Sequence, residues 1–346
     1  MRIPTSHAAF AVALAAVTAM PAAAPAQQAK PYTENVEVRR LLIDVRVTDG
    51  AGTPFVNLAK EEFEVRIDGK PVSVESATWV TGAARVVTTP TRPGRAPARR
   101  PAPQTGGRLI VFLIQKDLEA KRINGLMRLL AEAGPLLATF TPRDRIAVLS
   151  FDSQLHVWTD FTNDLDRVRS ILQEEILQRD PPAAVESQAP SLVATIGVRE
   201  AQRAASMEQA LALLGQALEP LNGAKSVILL GHGFGIRSPE GVSLENAYAE
   251  ARRSLRNARA SVFCLDVTQA DLHTLEAGLQ QIADDTGGFF ERTHILPVYA
   301  LNRLAGTLAG HYVLIVERPP VRAGRHTVRV SIPDPSAVVL VRDFID

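Results

Sequence analysis

The chain has 346 residues, 46% hydrophobic and 22% charged, a balance that excludes a disordered or fibrous protein and leaves room for two domains. Against 37 Asp and Glu stand 38 Lys and Arg, so no global field draws it to nucleic acid or to an anionic membrane. One cysteine excludes a disulfide framework within the chain.

Residues 1–26 read as an export signal. Arg2 supplies the positive start, residues 8–19 the apolar stretch, and Ala24-Pro25-Ala26 a small-residue cleavage site, with cleavage expected after Ala26. The apolar stretch is short of the ~20 residues a span requires, so no transmembrane segment is expected after cleavage. Gln27, not a cysteine, follows the site, which argues against a lipoprotein anchor. The expected location is periplasmic or secreted.

A β module is expected over residues 32–80. Ile43, Val45 and Val47 alternate with Asp44, Arg46 and Thr48, the pattern of a half-buried strand with a polar side. Phe63, Val65 and Ile67 alternate again, and Asp68-Gly69 is a hairpin signal leading into Val72 and Val74. The segment is too short to bury a core alone. Residues 312–317, 327–332 and 338–341 read as strands, so 311–346 is expected to pack with it as one β-sandwich-like unit. Between them, residues 81–107 interleave Pro90, Pro93, Pro97, Pro101 and Pro103 with Arg85, Arg92, Arg95, Arg99 and Arg100, which predicts a solvated linker. The interleaved aromatics of a single-strand nucleic-acid contact are absent.

Residues 108–310 alternate strand and helix patterns, predicting an α/β fold with a doubly wound, mostly parallel sheet. Two apolar runs, 109–114 (LIVFLI) and 226–230 (SVILL), break into polar loops at 115–119 and 231–235 and read as neighbouring strand ends, beyond which ligands sit in such sheets. Ile123, Leu126, Met127 and Leu130 recur at helical spacing, with Gly134-Pro135 expected to bend or end the helix. Asp152-Ser153 closes a hairpin, and a helix follows from about Asp164, capped by Thr162 or Asn163. Met207, Leu211, Leu214 and Leu218 mark another helix, residues 244–255 a further one, and Cys264 reads as a small buried hydrophobe.

The order of these pieces carries a resemblance. The Ile146-Ala147-Val148-Leu149-Ser150-Phe151 hairpin, the Asp160-Phe161-Thr162 helix start, Lys225-Ser226-Val227-Ile228-Leu229-Leu230, Thr286-Gly287-Gly288 and Tyr312-Val313-Leu314 resemble exported bacterial proteins related to von Willebrand factor type A domains. Val45-Arg46-Val47-Thr48-Asp49 and residues 62–70 are similar to the β module that precedes the A domain there. The resemblance implies a Rossmann-like A domain over 108–310. It also implies a magnesium-ion-dependent adhesion site, built from Asp-x-Ser-x-Ser in the first loop, a Thr in the second and an Asp in the third. In this alignment Gln115 stands at the carboxylate position, Asp117 and Glu119 at the hydroxyl positions with Lys116 beside them, and His232 at the third-loop Asp. The stretch around Thr195 lacks the usual Gly-Gly-Thr turn. The implied magnesium site is degenerate, and no cofactor is expected.

Enzymatic signatures are absent as well. No Gly-x-Ser-x-Gly elbow surrounds Ser150 or Ser153, residues 231–235 match no phosphate-binding loop, and His156, His273, His294, His311 and His326 are scattered. Asp266, late in its strand, is a single carboxylate without a partner in sight. The expected function is a non-enzymatic binding or scaffolding module for a protein or cell-envelope partner. Its crevice rim comprises Gln115, Lys116, Asp117, Glu119, His232, Phe234, Ile236 and Arg237, the last three as exposed contacts. The alternative is a transition-metal-dependent binder or hydrolytic enzyme using Asp117, Glu119 and His232.

Overall fold

A computed structural model describes residues 40–81, 107–183, 185–188, 190–317 and 324–345. The expected export signal and all but the ends of the expected linker lie outside the described residues. Strands β1 (Arg40–Thr48), β2 (Glu64–Ile67), β3 (Lys70–Val72) and β4 (Val74–Thr81) come first. They are followed by β5 (Leu109–Gln115), α1 (Ala120–Ala131), α2 (Gly134–Ala138), β6 (Arg145–Phe151), β7 (Leu155–Thr162) and α3 (Leu165–Ser170). Next come α4 (Val198–Arg203), α5 (Met207–Leu218), β8 (Lys225–Gly231), β9 (Ile236–Ser238), β10 (Gly241–Ser243) and α6 (Ala247–Asn257). The remainder is β11 (Ala260–Asp266), α7 (Glu276–Thr286), β12 (Phe290–Arg292), α8 (Pro297–Thr307), β13 (Gly310–Glu317), β14 (His326–Ser331), β15 (Val338–Val341) and β16 (Phe344–Ile345).

A six-stranded sheet runs in the order β12-β11-β8-β5-β6-β7. All its pairings are parallel except β6–β7, the hairpin turned at Asp152-Ser153 with Ser153 at φ 82°. The strands are continuously apolar because helices cover both faces. Alternate residues of β5 serve the two layers: Val111 and Leu113 pack with Leu211 and Leu214 of α5 and Leu279 of α7. Ile110, Phe112 and Ile114 pack with Leu126 and Leu130 of α1 and Leu301 and Leu304 of α8. The two apolar runs are adjacent parallel strands, so their loops leave the same edge. Cys264 is fully buried in the first of these layers.

Two local expectations shift. The cap of α3 is Asp164 itself, whose Oδ1 accepts from Arg167 N at 2.9 Å, while Thr162 Oγ1 accepts from Asp164 N one step upstream at 3.0 Å. The helix expected over 244–255 spans Ala247–Asn257. Leu244 packs on the core before the helix begins, so its apolarity carries no helical phase.

The chain's early and late strands pair antiparallel in two four-stranded sheets, β15-β1-β13-β4 and β16-β14-β2-β3. Ile43, Val45, Val47, Val65, Ile67, Trp79, Tyr312, Leu314 and Val328 share one core. Asp68 and Gly69 take φ values of 50° and 76°, the left-handed pair of a tight hairpin. The polar side of β1 is a correction: Asp44, Arg46 and Thr48 are buried, not solvent-facing. Arg46 donates to Ser226 and Ser261 at the amino ends of β8 and β11, and Asp44 accepts from Arg259. A period of two says which side is apolar; it does not say whether the other side meets water.

Candidate functional site

The loops after β5, β8, β11 and β12 leave the carboxyl edge of the parallel sheet, where α/β sheets hold their ligands. Gln115 ends β5 and is buried. Its Nε2 donates to Gly233 O at 2.9 Å and its Oε1 accepts from His232 N at 3.0 Å, fastening the first loop to the third. Gly233 has φ +100°, and a Cβ there would lie 2.4 Å from Leu275 O, so this turn requires glycine.

Charge in the first loop is closed on itself. Asp117 Oδ1 accepts from Glu119 N at 2.7 Å, and its Oδ2 pairs with Arg122 Nη1. Arg122 Nε lies 3.0 Å from Glu119 Oε2, and His232 Nε2 lies 3.5 Å from Asp117 Oδ2. Burial works to raise the Asp117 carboxyl, but the Glu119 N–H and the Arg122 guanidinium outweigh it and hold the group below its ordinary value. Burial, followed by the charge of Arg122, pushes His232 down to about 4, so the imidazole is neutral at pH 7. Lys116 lies 3.8 Å from Asp152 and 5.7 Å from the Trp158 ring centroid. Arg122 was not apparent from sequence reasoning. Its only signal is spacing, three residues after Glu119 in the first turn of α1.

The structure does not gather Asp117, Glu119 and His232 around a common point, because one guanidinium cation already holds both carboxylates. Among the described residues, the His-and-carboxylate group with ligand atoms within 4.8 Å of one another is Asp266, His273 and Glu276. Asp266 therefore has a partner that the sequence did not reveal: its Oδ2 lies 2.7 Å from His273 Nε2, and its Oδ1 accepts from Thr268 N at 2.9 Å. Glu276 takes both Nε and Nη2 of Arg292, at 2.8 and 2.7 Å. These groups are thus already engaged, Asp266 and His273 in a hydrogen bond and Glu276 in an ion pair with Arg292. Thr195 hydrogen-bonds to the Leu192 carbonyl at 3.0 Å. The surrounding segment is organised by Asp160, which accepts from Ser191 Oγ at 2.5 Å and Leu192 N at 2.8 Å.

Phe234 is a second correction. It is 5% exposed and lies in the core, its ring and carbonyl against Gly278, because the positive-φ glycines on either side turn it inward. Ile236, 55% exposed, and Arg237 do face solvent. They have company. Leu118 after β5 is 93% exposed, Leu272 after β11 is 73% exposed, and Ile295 after β12 is 68% exposed. Four successive strands of the sheet are therefore each followed by a bare apolar side chain in the segment beyond their carboxyl end, Ile236 at the start of β9 and the other three on loops.

No described helix is long and apolar enough to cross a membrane. No protein-family profile matches the chain, and no curated protein matches it. Solved structures similar to it include a von Willebrand factor type A protein from Catenulispora acidiphila, at 12% identity and TM-score 0.42, covering 90% of this chain and 74% of that one. An aerotolerance-related membrane protein from Bacteroides fragilis matches at 14% identity and TM-score 0.39, over 58% of this chain and 98% of that one. BatB from Bacteroides thetaiotaomicron matches at 14% identity and TM-score 0.37, over the same shares of 58% and 98%.

Proposed function

We propose that residues 108–310 are an exported, non-enzymatic binding domain of von Willebrand A type that takes a protein partner at the carboxyl edge of its parallel sheet without a magnesium bridge. In the same reading residues 1–26 are the signal, 32–80 and 311–346 form the β module, and 81–107 are the linker. The observation that carries it is the set of exposed apolar side chains, Leu118, Ile236, Leu272 and Ile295, in the segments that follow four adjacent strands. Contiguous exposed apolar surface marks association sites, and a few anchor side chains dominate their energetics, so the reading requires these four to act as one patch.

The donor set suits no hard cation. Magnesium demands near-octahedral oxygen ligands, whereas the Gln115 amide oxygen is taken by the His232 N–H and Asp117 and Glu119 share Arg122. A hydrolytic or transition-metal centre has less support for the same reason: arginines hold Asp117, Glu119 and Glu276, and Asp266 is hydrogen-bonded to His273.

The test is retention of partners from a cell-envelope extract by the wild type and by a Leu118→Glu, Leu272→Glu double variant of unchanged circular dichroism and Tm. Partners held by the wild type should be lost from the variant and should survive chelation of divalent ions. Equal retention by both proteins overturns the surface, and loss on chelation overturns the metal-free reading.

A further inference from the structure

At the opposite edge of the parallel sheet, where β1 meets the first residues of β8 and β11, the charges do not balance. Asp44 accepts from Arg259 Nε at 2.8 Å and Nη2 at 2.5 Å. Arg342 Nη2 at 3.6 Å and His311 Nε2 at 3.7 Å complete its surroundings. Arg46, next on the same side of β1 and only 5% exposed, finds neutral partners: Nη1 donates to Ser261 Oγ at 2.9 Å and Nη2 to Ser226 Oγ at 3.2 Å. Its guanidinium lies 5.0 Å from the Phe263 ring centroid. Among the described residues its buried Nε finds no hydrogen-bond partner. Lys225, also buried, donates to the carbonyls of Leu221 and Ala258. Among the described residues, four cations thus share one carboxylate.

Burial weighs against their charged forms. Burial lowers Arg46 to about 10 and Lys225 to about 8, and Arg342 is lowered by burial with Arg259 and Arg256 adding to it. A buried cation without a counter-charge is costly, and an orphaned buried N–H adds to that cost. Beside these groups is a cavity of about 50 Å³ whose lining includes Arg46, Arg108, Ser226 and His311. Arg108 is already committed to Asp144. Space on this scale holds a few waters or an inorganic ion, and it excludes a nucleotide or a peptide.

We propose that this cavity binds a small inorganic anion, a halide or a tetrahedral oxyanion, against the Arg46 guanidinium, with Ser226 and His311 at its margin. The anion supplies the missing negative charge and locks β1 onto the amino edge of the parallel sheet. This site lies at the other edge from the proposed partner surface and does not depend on it.

The full chain is tested by thermal unfolding at fixed ionic strength, with sodium gluconate, too large for the cavity, replaced stepwise by sodium chloride, bromide, sulfate or phosphate. A fitting anion should raise Tm saturably, by about 5 °C at a large excess over its Kd, and the anion that does so distinguishes halide from oxyanion. An Arg46→Met variant should show no anion dependence. Should that variant not fold, Arg46→Lys, which keeps the charge but loses the fork, should need roughly tenfold more anion. Crystals soaked in bromide or sulfate should place the ion in this cavity, within hydrogen-bond reach of the Arg46 guanidinium. No difference between any of these anions and gluconate overturns the proposal, as does an Arg46 variant that responds like the wild type or an ion found only elsewhere.

Discussion

His232 is buried with Nδ1 unpartnered, and its depressed pKa makes the closure of the crevice measurable. A histidine in the unfolded chain titrates near 6.5, against about 4 here, so between those values the unfolded state binds more protons. Stability is therefore present above pH 6.5 and is lost as pH falls from about 6.5 to about 4. A displacement of that size corresponds to about 3 kcal/mol when complete. His311, buried beneath Asp44 and also at about 4, acts over the same window. The lowered carboxylates act lower: Asp44, near 2, gives up stability only below pH 3.8. Glu208 and Asp284, both raised by burial, oppose the trend slightly. Urea denaturation should find His232→Gln close to the wild type at pH 7 and more stable than it, by roughly 2 kcal/mol, at pH 4.5. Equal pH slopes in the two proteins would mean that His232 titrates normally. Much at this scale was hidden from the sequence. Gln115 and His232 are visible as residue types, but the hydrogen bond between them joins segments more than 100 residues apart. Asp266 and His273 meet only because the loop after β11 folds back.

The helix α1 sets intrinsic preference against packing. Replacing a helical glycine by alanine gains up to about 1 kcal/mol from backbone entropy alone. At Gly125, however, a Cβ would lie 1.7 Å from Val267 O, because α1 is pressed against the segment after β11, where Lys121 O accepts from Gln269 N at 3.1 Å. Gly134, which opens α2, has nothing within 4 Å of the same position. Gly125→Ala should therefore destabilise by about 2 kcal/mol or more, and Gly134→Ala should leave stability unchanged or slightly raised. Guanidinium midpoints measure both, and a common shift in one direction would remove the packing argument. Elements such as β5 and α1 were legible because each is buried with a regular apolar pattern. The side of β1 bearing Asp44 and Arg46 was misread for a related reason: its polar residues face other polar residues of the chain, and a hydropathy pattern cannot distinguish those from water. The cap of α3 moved by one or two residues because Thr162 and Asp164 are both capable acceptors and the backbone turn selects between them.

At the level of the whole molecule, the two tryptophans report on different sheets. Trp79 in β4 lies 4.8 Å from the Tyr312 ring, and Trp158 in β7 donates its indole N–H to Ser150 Oγ at 2.9 Å. Between the sheets run the Asp44–Arg259 pair, the Arg46 contacts and a bond from Arg342 Nη1 to Arg256 O at 2.6 Å. Beside them Tyr299 donates to Gly50 O at 2.7 Å, and Gly52 approaches Arg303 too closely to admit a Cβ. Such a buried polar junction transmits unfolding from one sheet to the other, so Trp79→Phe and Trp158→Phe variants should give coincident urea transitions. Asp44→Ala leaves Arg259 buried without its carboxylate, which costs about 3 to 5 kcal/mol. The loss falls on the junction, not on either core, so in that background the transition seen by Trp79 should move to lower urea than the one seen by Trp158. Transitions already separate with Asp44 in place, or midpoints unmoved by Asp44→Ala, would show that the two sheets fold independently. Because that substitution also removes the one carboxylate from a group of four cations, the variant should recover more stability from a fitting anion than the wild type does. The coupling of the sheets and the charge deficit between them would then be one property of the junction.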